Sequence, residues 1–418
     1  MPTNLLANRP RAAPDGLLAA MLLSFLATAG FMYVNIMPAI VEGLQGGLHL
    51  TAAVAGRIGA ANVYGAAVGA LLATLLVTHW PWRRAAVALL FVLIGIDIAS
   101  MFVTDSSALL AIRALHGIVG GCLVGFSFSV IARTAQPERT FGMLLVVQGG
   151  LGGLGVMVLP RLVPVFGPGA LFAALAGFSL ITLAMLPFLA DYPRPANSTA
   201  GATGPVAAAA ATSASRAAAR VPAGVLLLVM ALLSVFLFQF SNMLLFSYII
   251  GLARHYGLDP LHSEIVVGVS TWVGMLGSVL VVMFGTRFGR ARMLTVALLL
   301  TALGMYVLHG SADPLIYALA NAGTGITWAF VIPHLLGMCA RCDTSGRAAA
   351  LGGFASKMGL ASGPFVGSLL LGAGRYGLLI DVATAVIFAC TVAALLPASR
   401  LDRLDAQLGA ANRQSASA

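Results

Sequence analysis

The sequence predicts an all-α integral membrane protein, with twelve transmembrane helices in two pseudo-symmetric six-helix bundles and both termini in the cytoplasm. Three observations carry this. Hydrophobic residues fill 60% of the chain and charged residues only 9%, with mean hydropathy +0.98; soluble domains carry about a quarter charged residues. One polar, low-complexity stretch, DYPRPANSTAGATGPVAAAAATSASRAAARVP over residues 191–222, divides the apolar sequence into two blocks of nearly equal length. The arginines fall between apolar runs, concentrated in alternate gaps.

A bilayer core of about 30 Å takes about 20 apolar residues per helix. On that measure the first block reads as spans over residues 16–41, 51–77, 85–103, 108–132, 141–166 and 170–190. The second reads as 223–252, 263–285, 293–308, 314–340, 348–372 and 378–396. The first span needs a check, because Arg9 and Arg11 precede an apolar run containing Ala27-Thr28-Ala29, the outline of a signal peptide. The run continues through Phe31, Val34, Ile36 and Ile40, too long for a cleaved signal, so it is kept as a membrane helix. The 191–222 stretch, rich in proline, glycine, serine and alanine, offers no periodic apolar face and reads as a flexible cytoplasmic linker. The domains are therefore 1–190 and 223–399, followed by a cytoplasmic tail over 400–418.

Charge placement tests the span count. With the N-terminus inside, 17 of the 23 basic residues are cytoplasmic; only Arg161, Arg254 and Arg375 lie outside, and Arg57, Arg113 and Lys357 lie within spans. Omitting one span would invert every later loop and destroy this bias. The net charge of +10 does not point to nucleic acid, since the arginines come in ones and twos rather than on one basic face. Cys122, Cys339, Cys342 and Cys390 sit in or beside apolar runs and suggest no disulfide framework. Cys339-Ala-Arg-Cys342 lacks a second ligand pair and reads as coincidence, so no metal or other cofactor is expected. Neither a P-loop nor HExxH occurs, which argues against ATP drive and against a metalloprotease.

Three motifs recur at loop and helix positions. The loop after the eighth span reads Gly285-Thr-Arg287-Phe-Gly289-Arg290-Ala-Arg292, and the matching loop after the second reads His79-Trp-Pro-Trp-Arg83-Arg84. The fourth span carries Arg113-Ala-Leu-His116-Gly117-Ile-Val-Gly-Gly121, whose spacing of four puts Arg113, Gly117 and Gly121 on one helical face. On these motifs the chain resembles the major facilitator superfamily of secondary transporters over nearly its whole length. The resemblance implies that the two loops latch an inner gate through Arg83, Arg84, Arg287, Gly289 and Arg290. Thr286 stands where the family has an acid, and the same arginines also serve as topology anchors. The fifth span, Gln148-Gly-Gly-Leu-Gly-Gly-Leu-Gly155 running to Leu159-Pro160, is similar to the drug:proton antiporter subgroup, with Leu159 in place of a glycine.

Ionisable groups in lipid are expensive and mark function by default. Asp97, Arg113 and Arg57 each lie roughly 8–10 Å from the outer ends of their spans at about 1.5 Å per residue, which suggests one cluster. It serves either as a proton-coupling site or as a permanent salt bridge between helices. Lys357, the only lysine, lies mid-span and reads as a cavity-facing cation or as half of a buried pair with an acid such as Asp381. The family lines its substrate cavity with the first, fourth, seventh and tenth spans, and glycine- and proline-interrupted helices such as the fifth and eleventh mark the substrate path. The resemblance thus singles out Tyr33, Asn35, His116, Gln148, Gln239, Asn242, Asn321, Trp328 and His334 as cavity residues, in a mostly apolar pocket. The expectation is a monomeric, non-enzymatic, multi-pass protein of the cell membrane that exports a small organic or amphiphilic compound by alternating access coupled to protons. Uptake of an organic anion by proton symport is the alternative, and a polytopic membrane enzyme or sensor a third class.

Overall fold

The computed structural model describes residues 11–77, 79–134, 137–192, 225–285, 287–342, 347–372 and 374–417, and every regular element among them is helical. Ten of the helical segments are long and apolar enough to cross a membrane. The chain divides into two compact units, Met1–Ala202 and Thr203–Ala418.

The first unit contains α1 (Leu17–Asn35), α2 (Met37–Leu48), α3 (Ala52–Leu76), α4 (Trp82–Ser100), α5 (Ser106–Ile131), α6 (Pro137–Phe166) and α7 (Gly169–Met185). A short 3-10 turn, Leu186–Phe188, follows α7. The sequence suggests one helix over 16–41, whereas the chain breaks at Ile36 and restarts with Pro38 in its first turn. The cause is local: Pro38 has no N–H to donate to the carbonyl of Val34, and its fixed φ suits the start of a helix better than the middle.

The tightest packing in this unit joins α3 to α5. A Cβ on Gly117 would collide with the backbone carbonyl of Asn62, and one on Gly121 with that of Ala66. The glycine spacing of four thus lets two backbones touch, which side chains of any size would prevent. Asp105 caps α5 by accepting from Ala108 N at 2.7 Å. That N–H, together with the Ser107 hydroxyl, holds the Asp105 carboxyl below the usual carboxylate range.

The second unit contains α8 (Val225–Phe246), α9 (Ile249–His255), α10 (Pro260–Gly274), α11 (Leu276–Phe284), α12 (Arg290–Tyr306), α13 (Pro314–Arg341), α14 (Arg347–Leu371) and α15 (Tyr376–Ser417). The segments expected over 223–252 and 263–285 are each split in two. Ser247 Oγ bonds back to Met243 O at the first break, a local alternative to the helical ladder. At the second, Met275 lies between Gly274 and Gly277, which press against Gly325 and the carbonyl of Ile326 on α13.

The expected polar segments are described in part. Residues 400–417, expected as a tail, continue α15 as helix, because Leu401 is buried and Asp402 and Asp405 are bound by arginines of α12 and α13. Of the linker, residues 193–222 lie outside the described residues, while Asp191 and Tyr192 are fixed to the first unit. Asp191 pairs with Arg11 at 2.6 Å, and Tyr192 donates to Pro14 O at 2.8 Å.

Candidate functional site: a buried ionic network in the first unit

Asp97 on α4 and Arg113 on α5 have no exposed side-chain surface and meet at 2.8 Å, Nη1 donating to Oδ1. Arg113 Nη2 reaches the Ile96 carbonyl at 3.3 Å and the Ser100 hydroxyl, so the guanidinium is gripped by one turn of α4. Its carbon sits 4.8 Å from the ring centroid of Phe172 on α7, a cation–π contact inside the bundle. His116, one turn along α5, brings Nε2 within 3.4 Å of the same Asp97 Oδ1. Asn62 on α3 closes the network: its Nδ2 donates to the Arg113 carbonyl at 3.0 Å and lies 2.8 Å from His116 Nδ1.

The glycine contact described above is what makes this reach feasible, since Asn62 is the residue whose backbone lies against Gly117. Because Asn62 Nδ2 can only donate, His116 Nδ1 is the acceptor, and the proton of a neutral ring sits on Nε2, facing Asp97. Tyr33, fully buried on α1, places its ring 5.9 Å from that of His116. Asp97 Oδ2 is buried and has no hydrogen-bond partner among the described residues.

Arg57 is not part of this network. It is exposed on α3 and bonds back to Ala53 O at 3.4 Å. Five residues separate it from Asn62, about 140° around an α-helix, so α3 turns Asn62 and not Arg57 toward α5. Depth along the spans was legible in the sequence; rotation was not. Asn62 and Ser100 escaped sequence reasoning, although Asn62 is a polar side chain in an apolar helix, a signal of its own.

The other sequence-selected residues distribute as follows. Asn35 and Gln148 are half-buried on α1 and α6. In the second unit Gln239 bridges three helices, accepting from Trp328 Nε1 at 2.8 Å and donating to Ser356 Oγ at 2.9 Å. Lys357, adjacent to Ser356, is buried on α14. Asp381 pairs with His309 at 2.9 Å. Asn242 and Asn321 each bond back one turn, to Phe238 O and Tyr317 O at 2.8 Å. His334 bonds two backbone carbonyls, Phe330 O at 2.8 Å and Gly285 O at 3.0 Å. The four cysteines are free.

Two of the loop arginines, Arg83 and Arg290, are engaged. Arg83 caps the end of the α7 segment, donating to Leu186 O at 2.8 Å and Leu189 O at 2.7 Å, and pairs with Asp191 at 3.2 Å. Arg290 pairs with Asp405, whose carboxylate also takes both Arg341 nitrogens at 2.8 and 2.7 Å. Asp402 caps α12 from a distant helix, accepting from the backbone N–H groups of Arg290 and Ala291 at 2.8 and 2.9 Å. Gly289 precedes that cap with φ +81, while Arg84 and Arg287 are exposed. Asp402 and Asp405 were not foreseen, because they lie more than a hundred residues from the loop they complete.

Comparison with known proteins agrees with this architecture. The chain matches the structure of a mutant of the nucleoside transporter NupG with TM-score 0.63 and 14% identity, covering 93% of this chain and 99% of that one. At that identity the likeness is one of fold. No curated relative matches the chain by sequence. The family model described as Major Facilitator Superfamily matches residues 20–249, more than half of the sequence. With its membrane-length helices and this match, the chain is a multi-pass membrane protein that belongs to the major facilitator superfamily of transporters.

Proposed function

We propose that this protein is a twelve-span secondary transporter, both termini cytoplasmic, that exports a small organic or amphiphilic compound by alternating access in exchange for protons. The observation that carries the proton step is Asp97. Its Oδ1 is saturated by Arg113 and His116, whereas its Oδ2 is buried without a donor. An acceptor left unsatisfied in a buried site costs about 1–3 kcal/mol, and Oδ2 is the oxygen of Asp97 left available to take a proton. A conformational change that parts Asp97 from Arg113 or opens it to water changes what Oδ2 can bond to, which is what coupling requires.

The orientation rests on the arginine bias, with the ends carrying Arg83, Arg133, Arg290 and Arg341 assigned to the cytoplasm. Substrate contacts are assigned to the half-buried Asn35 and Gln148 in the first unit and to Asn242, Asn321 and Trp328 in the second. Their sparse polarity in apolar surroundings suits an amphiphilic solute. Buried Lys357 favours a second reading, proton-linked uptake of an organic anion.

The test has two stages. A thermal-stabilisation screen of organic cations, anions and nucleosides finds a ligand through its linkage to folding. Counterflow of that ligand in proteoliposomes under an imposed pH gradient then gives direction. Export predicts accumulation in the acidic compartment and loss of the pH requirement in Asp97→Asn; movement with the protons, or an unchanged pH requirement in the variant, rejects it.

A further inference from the structure

His334 lies on α13, directly after Pro333 and two turns before the helix ends at Arg341. Both its ring nitrogens point at backbone carbonyls: Nδ1 at Phe330 O, 2.8 Å away, and Nε2 at Gly285 O, 3.0 Å away. A carbonyl oxygen only accepts, so each contact is a hydrogen bond only when that nitrogen carries a proton. A neutral imidazole has one N–H. Whichever tautomer it adopts, a nitrogen lone pair then faces an oxygen lone pair at hydrogen-bond distance, in a residue only 8% exposed. The imidazolium satisfies both.

Two electron-rich groups lie against the ring. Gly285 closes α11, so its carbonyl belongs to the negative end of a helix. The Phe330 ring centroid lies 4.7 Å from that of the imidazole, within cation–π range. Charges on the neighbouring elements do not substitute for the proton. Among the described residues His334 makes no ion pair. Arg287 in the loop is exposed; Arg290 and Arg341 are held by Asp405, and Asp402 caps α12. Among the described residues the elements packed on α13 also carry His262 and Glu264 on α10, Arg292 on α12, Lys357 on α14, Asp381, Arg400 and Arg403 on α15, and His309, which Asp381 holds, in the turn after α12; none of them is ion-paired with His334.

We infer that His334 is a proton-binding site whose doubly protonated ring ties α13 to the carbonyl end of α11. The proton comes from bulk water on the loop's own side, adds to a ring nitrogen lone pair, and returns to water on release. Phe330 lies in the same helix as His334, whereas Gly285 does not, so the Nε2 bond is the one that couples two elements. Acid makes this tie; as pH rises the ring loses a proton and the tie breaks. Only the identity of the compartment, the cytoplasm, rests on the functional reading above.

The test uses the full chain in nanodiscs with 15N-labelled histidine, from about pH 5.5 to about pH 8.5. The His334 ring is identified among the seven histidines by its absence in His334→Gln. Should that variant not fold, paired labelling of Pro333 and His334 assigns it. Two N–H signals from this ring at acid pH, with one lost as pH rises, are expected. Hydrogen exchange of the peptide over residues 276–285, corrected for intrinsic rates, is expected to quicken about tenfold across the same range in the wild type, as for loss of one charged hydrogen bond. It is expected to be fast and flat in the variant. A single neutral tautomer throughout, or an identical pH response in His334→Gln, overturns the inference. Neither measurement needs substrate or Asp97, so its failure is separable from failure of the transport reading.

Discussion

Arg113 Nη1 donates to Asp97 Oδ1 at 2.8 Å, and neither side chain has any exposed surface. A charge pair so enclosed is weak evidence of stability in itself, because its attraction mainly offsets desolvation. Removing one member is another matter, since the survivor stays buried and unpaired. Asp97→Ala is therefore expected to lower stability by about 3–5 kcal/mol, read as the unfolding midpoint in detergent. Asp97→Asn, which keeps an acceptor for Arg113, is expected to cost less while still removing pH dependence from transport. Equal losses in the two variants would contradict this account.

Asn62 sets the tautomer of His116. It donates to the Arg113 carbonyl and to His116 Nδ1 together, so flipping its amide to accept from a charged His116 would set two oxygens face to face at Arg113. Asn62→Leu is expected to free the ring's tautomer and to cost about 1–3 kcal/mol for the buried His116 Nδ1 left without a donor. Histidine 15N spectra of the two proteins across pH check the first point, and thermal unfolding the second.

The contact between α3 and α5 is expected to tolerate no side chain at Gly117, because a Cβ there meets the Asn62 carbonyl. Gly117→Ala should destabilise by about 1–3 kcal/mol through overpacking and should also perturb the His116 spectrum. Gly142→Ala, where nothing lies within 4 Å of the added Cβ, is the control and should hold or gain stability. If both substitutions behave alike, backbone proximity is not the operative constraint.

Asp405 joins α12 to α13 through Arg290 and Arg341. Asp405→Asn is expected to loosen the end of α15 at a cost of about 1–2 kcal/mol, a charged hydrogen-bond value discounted for its partial exposure. Hydrogen exchange over residues 400–407 reports the loosening, and rising salt should shrink the difference from wild type.

Gln239 accepts from Trp328 Nε1 and donates to Ser356. In Gln239→Leu the indole N–H loses its acceptor, and a shift in Trp328 emission is expected, measurable against a Trp328→Phe background. A ligand that binds beside these residues should reproduce part of that shift in the wild type.

Hydropathy, arginine spacing and glycine spacing are properties of neighbouring residues, and they alone marked an all-helical chain with membrane-length helices and the helical face of α5 that carries Arg113, Gly117 and Gly121. They also brought Asp97 and Arg113 to the same depth. Rotation about each helix axis, and the return of remote segments, are fixed only by packing. That is why Arg57 was expected where Asn62 stands, why His116 gained an acid invisible in its own stretch, and why Asp402 and Asp405 cap a helix that begins at Arg290. A linear sequence fixes height within the bilayer through the rise per residue. Which side chains meet at that height is decided by close approach between helices, and in this chain that approach is set by glycines whose partners only the fold supplies.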